Sequence, residues 1–114
     1  MQRATAKLRA LIRRGNFLEL PSAYDPITAR LAESLGFKTI YSGGFVTGGS
    51  SCISEPLLTM GEQLRVASDM AHAVSIPVVM DAGAGWGEPL HTMRTVRECI
   101  RAGIAAVHIE DQLY

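Results

Sequence analysis

Two carboxylates, Asp81 and Glu110, each stand at the end of a short apolar run and are the residues most suited to metal chemistry. Consecutive parallel strands usually neighbour one another, about 4.8 Å apart, so these side chains are expected to share one pocket. Paired carboxylates repel unless a proton or cation intervenes. With oxygen ligands and no thiolate or paired-histidine motif, the predicted cation is Mg²⁺, or Mn²⁺ in its place. In the alternative interpretation, Asp81 begins a turn and Glu110 forms an ion pair.

A second polar group follows an earlier strand-like run and consists of Tyr41, Ser42, Gly43 and Gly44. A hydroxyl and two accessible backbone N–H groups suit an anionic oxygen, although a Gly-Gly pair after a strand is also an ordinary turn. His108 lies two residues before Glu110 and is expected on the same side of a strand. It is predicted to orient the metal or a substrate carboxylate, or to be a hydrogen-bonded structural histidine.

The elements that position these groups alternate between short apolar runs and longer segments of helical period. Strands are predicted over 17–23, 39–42, 76–81 and 105–109, and a long Gly/Ser-rich loop over 43–58. One helix precedes the first strand, and three connecting helices are expected after Asp25, Thr59 and Glu88, the first two being N-caps. The connecting helices carry apolar faces that include Ile27, Leu31 and Leu35 in the first of them and Leu90, Met93, Val96 and Ile100 in the last.

This alternation predicts an α/β fold with four parallel strands, in a single domain over 1–114. Two architectures accommodate it: the first half of a closed (β/α)₈ barrel, or an open doubly wound sheet. In both, ligands bind at the carboxyl ends of the strands, where the polar groups fall.

The amino-acid composition argues against two classes of function, nucleic-acid binding and membrane binding. The 114 residues carry 11 basic and 11 acidic side chains and 47% hydrophobic residues, which argues against a nucleic-acid or anionic-membrane surface. No apolar run reaches the roughly 20 residues of a membrane helix, and Cys52 and Cys99 have no second cysteine nearby. A cytoplasmic location is therefore expected. The basic segment 1–15 also fits a mitochondrial transit peptide, but its apolar stripe favours an ordinary helix.

Taken together, the segments 36–44, 56–60, 77–87, 94–97 and 103–112 resemble the isocitrate lyase/phosphoenolpyruvate mutase superfamily. The likeness is greatest to its methylisocitrate-lyase-like and carboxyphosphonoenolpyruvate-mutase-like branch. It implies a (β/α)₈ barrel that forms homo-oligomers and binds Mg²⁺ and a small 2-oxo or 2-hydroxy carboxylate. It also implies that the chain is the N-terminal half of such a barrel, truncated after strand four.

The resemblance assigns roles residue by residue. Residues 41–44 match the segment that holds substrate oxygens, Asp81 and Glu110 match metal-shell carboxylates, and His108 matches a pocket histidine of the lyases. Two positions depart from the family pattern: Gly83 stands where a second Asp belongs, and a further family Asp falls at or beside Ser54. The carboxylates that could compensate are Glu55 and Glu88. The lyases' catalytic cysteine segment would lie beyond residue 114.

The function implied is Mg²⁺-dependent carbon–carbon bond cleavage through an enolate-like state. The alternatives within the superfamily are phosphonomutase and oxaloacetate-decarboxylase activity. From other classes, the alternatives are an inactive half-barrel that acts only by association and an open doubly wound binding domain.

Overall fold

The computed structural model describes residues 3–112 and places five α-helices and three β-strands in this part of the chain. The elements, in chain order, are α1 (Ala4–Arg13), α2 (Pro26–Ser34), β1 (Ile40–Ser42), α3 (Gly44–Ser50), a 3-10 helix (Glu55–Leu57), α4 (Met60–Ala73), β2 (Val78–Asp81), α5 (Pro89–Arg101) and β3 (Ala106–His108). Among these helices none is long and apolar enough to cross a membrane.

The strands form one parallel sheet in the order β1-β2-β3, which confirms the predicted α/β class. The predicted number of four strands is wrong. The first predicted strand contributes only a single parallel bridge, between Ser22 and Tyr41. Two backbone hydrogen bonds support it, from the Tyr41 N–H to the Pro21 carbonyl and from the Ala23 N–H to the Tyr41 carbonyl. Pro21 has no N–H to donate to a ladder hydrogen bond, and Phe17 is 90% exposed and therefore hardly packed. The strand pairing of this segment therefore does not continue beyond the single bridge.

The two faces of the sheet differ. Ile40, Val78 and Met80 point toward the helices and join a buried cluster with Ala67 and Met70 of α4. The strand register places Tyr41, Val79, Asp81, Ala106 and His108 on the opposite face. The polar groups on that face are therefore held by a rigid strand layer whose other side is the hydrophobic core.

Local capping signals start two of the connecting helices where they were predicted. The Asp25 carboxylate accepts a hydrogen bond from the Thr28 N–H (2.7 Å), at the N-terminus of α2. Thr59 and Glu62 form a reciprocal capping box at the start of α4. Glu88 occupies the N-cap position of α5, but its side chain makes no cap hydrogen bond.

The predicted apolar faces of α2 and α5 exist but do not form the core. In α2 the buried residues are Ala29 and Ala32, and in α5 they are Thr95 and Cys99. These small side chains are buried where both helices pack against α4, and the large ones lie outside the contact. The exposed large side chains of the two helices and their ends are Ile27, Leu31, Leu35, Leu90, Met93 and Ile100.

The segment predicted as a long loop over 43–58 is largely helical, which corrects that prediction. Its Gly/Ser composition disfavours a helix in isolation, but Gly44, Thr47 and Gly48 are buried in the folded chain. A Cβ at Gly48 would collide with the carbonyl oxygen of Ile53, so only glycine allows the chain to double back there. Tertiary packing therefore decides the conformation of this segment.

Candidate metal centre

Three carboxylates meet at the carboxyl ends of the strands. Asp81 ends β2, Glu110 follows β3 by two residues, and Glu55 begins the 3-10 helix. Each offers one oxygen, and these oxygens all lie within 4.8 Å of one another. The structure thus brings Asp81 and Glu110 together and adds Glu55 to them.

The backbone around Gly83 orients this cluster. The Gly83 N–H donates to Oδ1 of Asp81 (2.9 Å), and the Gly83 carbonyl accepts from the Glu110 N–H (2.8 Å). The second carboxylate oxygen of Asp81 accepts from the Gly44 N–H at 3.3 Å. Although Gly83 supplies no carboxylate, its peptide groups therefore hold the two strand-end carboxylates in register.

The cluster is electrostatically strained without a cation. Partial burial raises the pKa of Glu55, and the Asp81 charge, a hydrogen bond between the two carboxyl groups and the Glu110 charge raise it further. Burial also raises the pKa of Tyr41 to about 12, with added contributions from the charges of Asp81, Glu55 and Glu110. A divalent cation would relieve the repulsion that adds to the effect of burial on both pKa values.

A cavity of about 440 Å³ opens onto the cluster. Its described lining contains no lysine, arginine or histidine, so all charged side chains in this part of the lining are acidic. Apolar groups form the remaining wall, among them Leu58, Ala84 and Trp86. The donor set of three carboxylates consists of hard oxygens, which suits Mg²⁺ or Mn²⁺ and excludes a thiolate-type zinc site within this cluster.

Two residues of this cavity were not identified from the sequence. Trp86 has a positive φ of 60° between two glycines, and its indole N–H donates to the Leu58 carbonyl (2.9 Å). This bond ties the loop after Asp81 to the 3-10 helix that carries Glu55. Gln63 lies in the first turn of α4 and is 1% exposed. The Gly-Trp-Gly triplet was a signal for a constrained loop, whereas nothing local marks Gln63.

Of the other predicted site residues, Gly44 contacts the carboxylate cluster, whereas the remaining ones are not part of it: Tyr41, Ser42, Glu88 and His108. Ser42 is fully buried and close to the Gln63 amide rather than on the cavity wall. Tyr41 and His108 pair with each other, with 3.1 Å between the Tyr41 hydroxyl and Nδ1 of His108. His108 ends β3 opposite Asp81, and Glu110 lies two residues beyond the end of the strand. Their placement on the same side of the strand stays a prediction. Glu88 lines the cavity but is not one of the three clustered carboxylates.

Gly43 and Gly44 sit at the start of α3, where Gly43 is the N-cap and Gly44 the first helical residue. Gly44 also lines the cavity. Its amide already donates to Asp81. The predicted roles of residues 41–44 in holding substrate oxygens remain predictions.

The close approach of Gly44 to Glu55 makes Gly44→Ala a sensitive test of the cluster. An added Cβ would lie 2.6 Å from Oε1 of Glu55 and 3.0 Å from its Cδ and Cγ. Because the obstructed atoms end a flexible side chain, we expect the fold to persist and Glu55 to move out of the cluster. The affinity for Mn²⁺, measured by titration, should fall roughly tenfold.

The matched control for this substitution is Gly49→Ala in the same helix, where an added Cβ would meet no atom within 4 Å. Its Mn²⁺ affinity should equal that of the unmodified chain. Equal affinity in the Gly44 and Gly49 variants would show that Glu55 is not a ligand.

Comparison with known proteins gives a consistent result. The family profile described as phosphoenolpyruvate phosphomutase matches residues 8–113. The 2-methylisocitrate lyase of Aeropyrum pernix is 40% identical over 114 residues, which cover 99% of this chain and 37% of that enzyme. The 2,3-dimethylmalate lyase of Eubacterium barkeri is 37% identical over 111 residues, covering 95% of this chain and 38% of that enzyme.

Solved structures share the same fold. A phosphoenolpyruvate phosphomutase from Streptomyces platensis subsp. rosaceus matches with a TM-score of 0.95 and 42% identity, over 97% of this chain and 39% of that one. A phosphonopyruvate hydrolase in complex with oxalate and Mg²⁺ matches with a TM-score of 0.95 and 29% identity, over 99% of this chain and 40% of that one. The chain thus spans about two fifths of the length of the relatives it matches.

Proposed function

The chain belongs to the phosphoenolpyruvate phosphomutase family, within the isocitrate lyase/phosphoenolpyruvate mutase superfamily, and on that premise we propose that it provides the metal-binding part of a Mg²⁺-dependent enzyme. The proposed reaction is cleavage of a carbon–carbon bond in a small 2-oxo or 2-hydroxy carboxylic acid. The observation that carries the proposal is the cluster of Glu55, Asp81 and Glu110. Relatives named 2-methylisocitrate lyase and 2,3-dimethylmalate lyase support the lyase assignment.

In this proposal the three carboxylates hold the cation, and Glu55 makes up for the carboxylate absent at Gly83. The phosphonopyruvate hydrolase with bound oxalate and Mg²⁺ supports a divalent metal and a small carboxylate as ligands of this fold. The chemistry that a bound Mg²⁺ supplies is Lewis-acid stabilisation of the enolate-like charge that develops when the bond breaks. Glu88 lies too far from the cluster to be assigned as a ligand.

Tyr41 and His108 form the proton-holding pair of the proposed site. Burial and the nearby carboxylate charges raise the pKa of Tyr41 to about 12, so Tyr41 keeps its proton at neutral pH. In the proposed arrangement the Tyr41 hydroxyl donates to Nδ1 of His108, 3.1 Å away, and the neutral imidazole then carries its proton on Nε2. We assign His108 as the catalytic group, oriented by Tyr41, and Ser42, Gly43 and Gly44 as the segment nearest the substrate oxygens.

We further propose that the sheet is the first part of a (β/α)₈ barrel. The high TM-scores to the solved relatives and the parallel order β1-β2-β3 support this architecture. The face carrying Tyr41, Asp81 and His108 would then point into the barrel. A homo-oligomeric, cytoplasmic protein is part of the same proposal.

The test is an assay of the chain, and of any longer protein that contains it, against 2-methylisocitrate, 2,3-dimethylmalate, oxaloacetate and phosphonopyruvate. Carbon–carbon cleavage that requires Mg²⁺ and stops on chelation is the expected result. Turnover that is unaffected by chelation would refute the proposal. Association in solution without turnover of any of these substrates would support the alternative of an inactive half-barrel.

Phosphorus–carbon bond chemistry is the second candidate function. It is favoured by the 42% identity to the Streptomyces platensis phosphoenolpyruvate phosphomutase, which exceeds the identity to the two lyases. Turnover of phosphonopyruvate without turnover of the carboxylic acids would select this function. A relative from Pseudomonas aeruginosa that is 39% identical is named oxaloacetate decarboxylase. The same assay tests this activity, because oxaloacetate is among the substrates.

A further inference from the structure

Gln63 carries a buried acceptor that no group of the described chain satisfies. Its Nε2 donates to the Ser42 carbonyl (2.9 Å) and lies 3.4 Å from the Ser42 hydroxyl oxygen. Its Oε1 is buried and has no hydrogen-bond partner among residues 3–112. Buried amide oxygens are rarely left in this state, because losing water without a replacement partner costs free energy.

The orientation of this amide is fixed by its neighbours. Turning the amide over would place Oε1 against the Ser42 carbonyl, so that two acceptors would face each other and the donor would be lost. The position of the side chain is equally constrained, because the capping box of Thr59 and Glu62 sets the first turn of α4. Oε1 is therefore a rigid, preorganised acceptor.

The cavity that Gln63 lines is the one that opens onto Glu55, Asp81 and Glu110. The ionised carboxylates of the cluster are acceptors and cannot satisfy Oε1. No donor of residues 3–112 lies within hydrogen-bond distance of Oε1, and the Trp86 indole N–H and the Gly44 N–H donate elsewhere, to Leu58 and Asp81. A ligand that enters the cavity can supply the donor that the described chain does not.

We propose that Oε1 of Gln63 accepts a hydrogen bond from a water molecule bound to the divalent cation. The proposal rests on the metal centre of the proposed function. Mg²⁺ and Mn²⁺ retain several waters when carboxylates bind them, and such waters are strong donors because the cation polarises them. Gln63 is then a positioning residue for the hydrated metal. The sequence analysis of the carboxylates did not identify this residue.

The experiment measures Mn²⁺ affinity and the water-proton relaxation enhancement of bound Mn²⁺, with the metal alone and no substrate. Gln63→Met keeps the length and volume of the side chain but removes the acceptor. We expect a roughly tenfold weaker Mn²⁺ affinity and a changed relaxation enhancement, as is common when a group that hydrogen-bonds a metal's ligands is lost. Gln63→Met also removes the Nε2 donor to the Ser42 carbonyl, and urea unfolding of the metal-free variant measures that loss separately from the Mn²⁺ affinity.

Thr47→Val is the matched control. Oγ1 of Thr47 is also buried without a partner in the described chain, but Thr47 does not line the cavity. Its removal should leave Mn²⁺ binding unchanged. Urea unfolding of all variants without metal separates a loss of affinity from a loss of stability.

The outcomes distinguish this inference from the metal centre itself. Binding of Mn²⁺ by the unmodified chain, with equal affinity in Gln63→Met, would overturn the role of Gln63 and leave the metal centre standing. An effect of Gln63→Met that appears only when a 2-hydroxy acid is added would overturn the assignment to a metal-bound water. Absence of binding in the unmodified chain would overturn both the metal centre and this inference.

Discussion

Replacing Asp81 with asparagine is expected to weaken the binding of Mg²⁺ and Mn²⁺ by at least about 100-fold. Asp81 lies between the other two carboxylates in the chain and ends the central strand, and both of its oxygens are oriented by backbone N–H groups. The substitution keeps the shape of the side chain but removes its negative charge. It also replaces one carboxylate oxygen with an NH₂ group, which donates hydrogen bonds and cannot bind a cation. Isothermal titration of the metal into the chain provides the measurement.

The metal-free protein should remain folded in this variant. The substitution relieves repulsion but leaves one backbone N–H, of Gly44 or Gly83, without its acceptor, so we expect the free energy of unfolding to change by no more than about 1.5 kcal/mol. Asp69→Asn, an exposed position on α4, is the control for a general change in charge. Equal loss of affinity in both variants, or no loss in the Asp81 variant, would contradict the proposed centre.

Replacing Met80 with alanine should lower the free energy of unfolding by about 2 to 5 kcal/mol, more than any other substitution proposed for this chain. Met80 is 0% exposed on the central strand and packs into the cluster between sheet and helices. The cavity left behind cannot be filled by the fixed backbone of neighbouring strands. Since small domains have a total stability of about 5 to 15 kcal/mol, the variant is expected to unfold at a much lower urea concentration.

The same substitution at Met93 is the matched control, because this side chain of α5 is 51% exposed. Its cost should stay within about 0.5 kcal/mol. Circular dichroism during urea unfolding measures both variants. Equal costs at the two positions would mean that α5 packs through its large apolar face after all.

The carboxylate cluster also draws on an element outside the sheet. The family resemblance implies acidic residues at position 83 and at or beside position 54, where this chain has Gly83 and Ser54. Glu55 nevertheless reaches Asp81 and Glu110, because the short 3-10 helix and α3 bring that part of the chain over the strand ends. A residue from a different element thus adds a third carboxylate to the two at the strand ends.

The sequence by itself determined the features that depend on near neighbours or on general rules of chain topology. Asp25 and Thr59 cap helices where expected, because a cap needs only the residues within one turn. The meeting of Asp81 and Glu110 followed from the rule that successive parallel strands lie side by side. These inferences required no knowledge of packing.

Only the tertiary structure decided the features that depend on residues distant in the chain. Segment 17–23 has a strand-like composition, but only Ser22 forms a bridge to β1, at Tyr41. Pro21 has no N–H for a further ladder hydrogen bond, and Phe17 is exposed. The small residues of α2, rather than Leu31, lie in the core because the packing of α2 on α4 sets which face of the helix is covered. The proximity of Glu55 to Asp81 and the burial of Gln63 depend on how α3 and α4 pack on the strands. Burial and long-range contact arise from the packing of the whole chain, and no local pattern of residues encodes them.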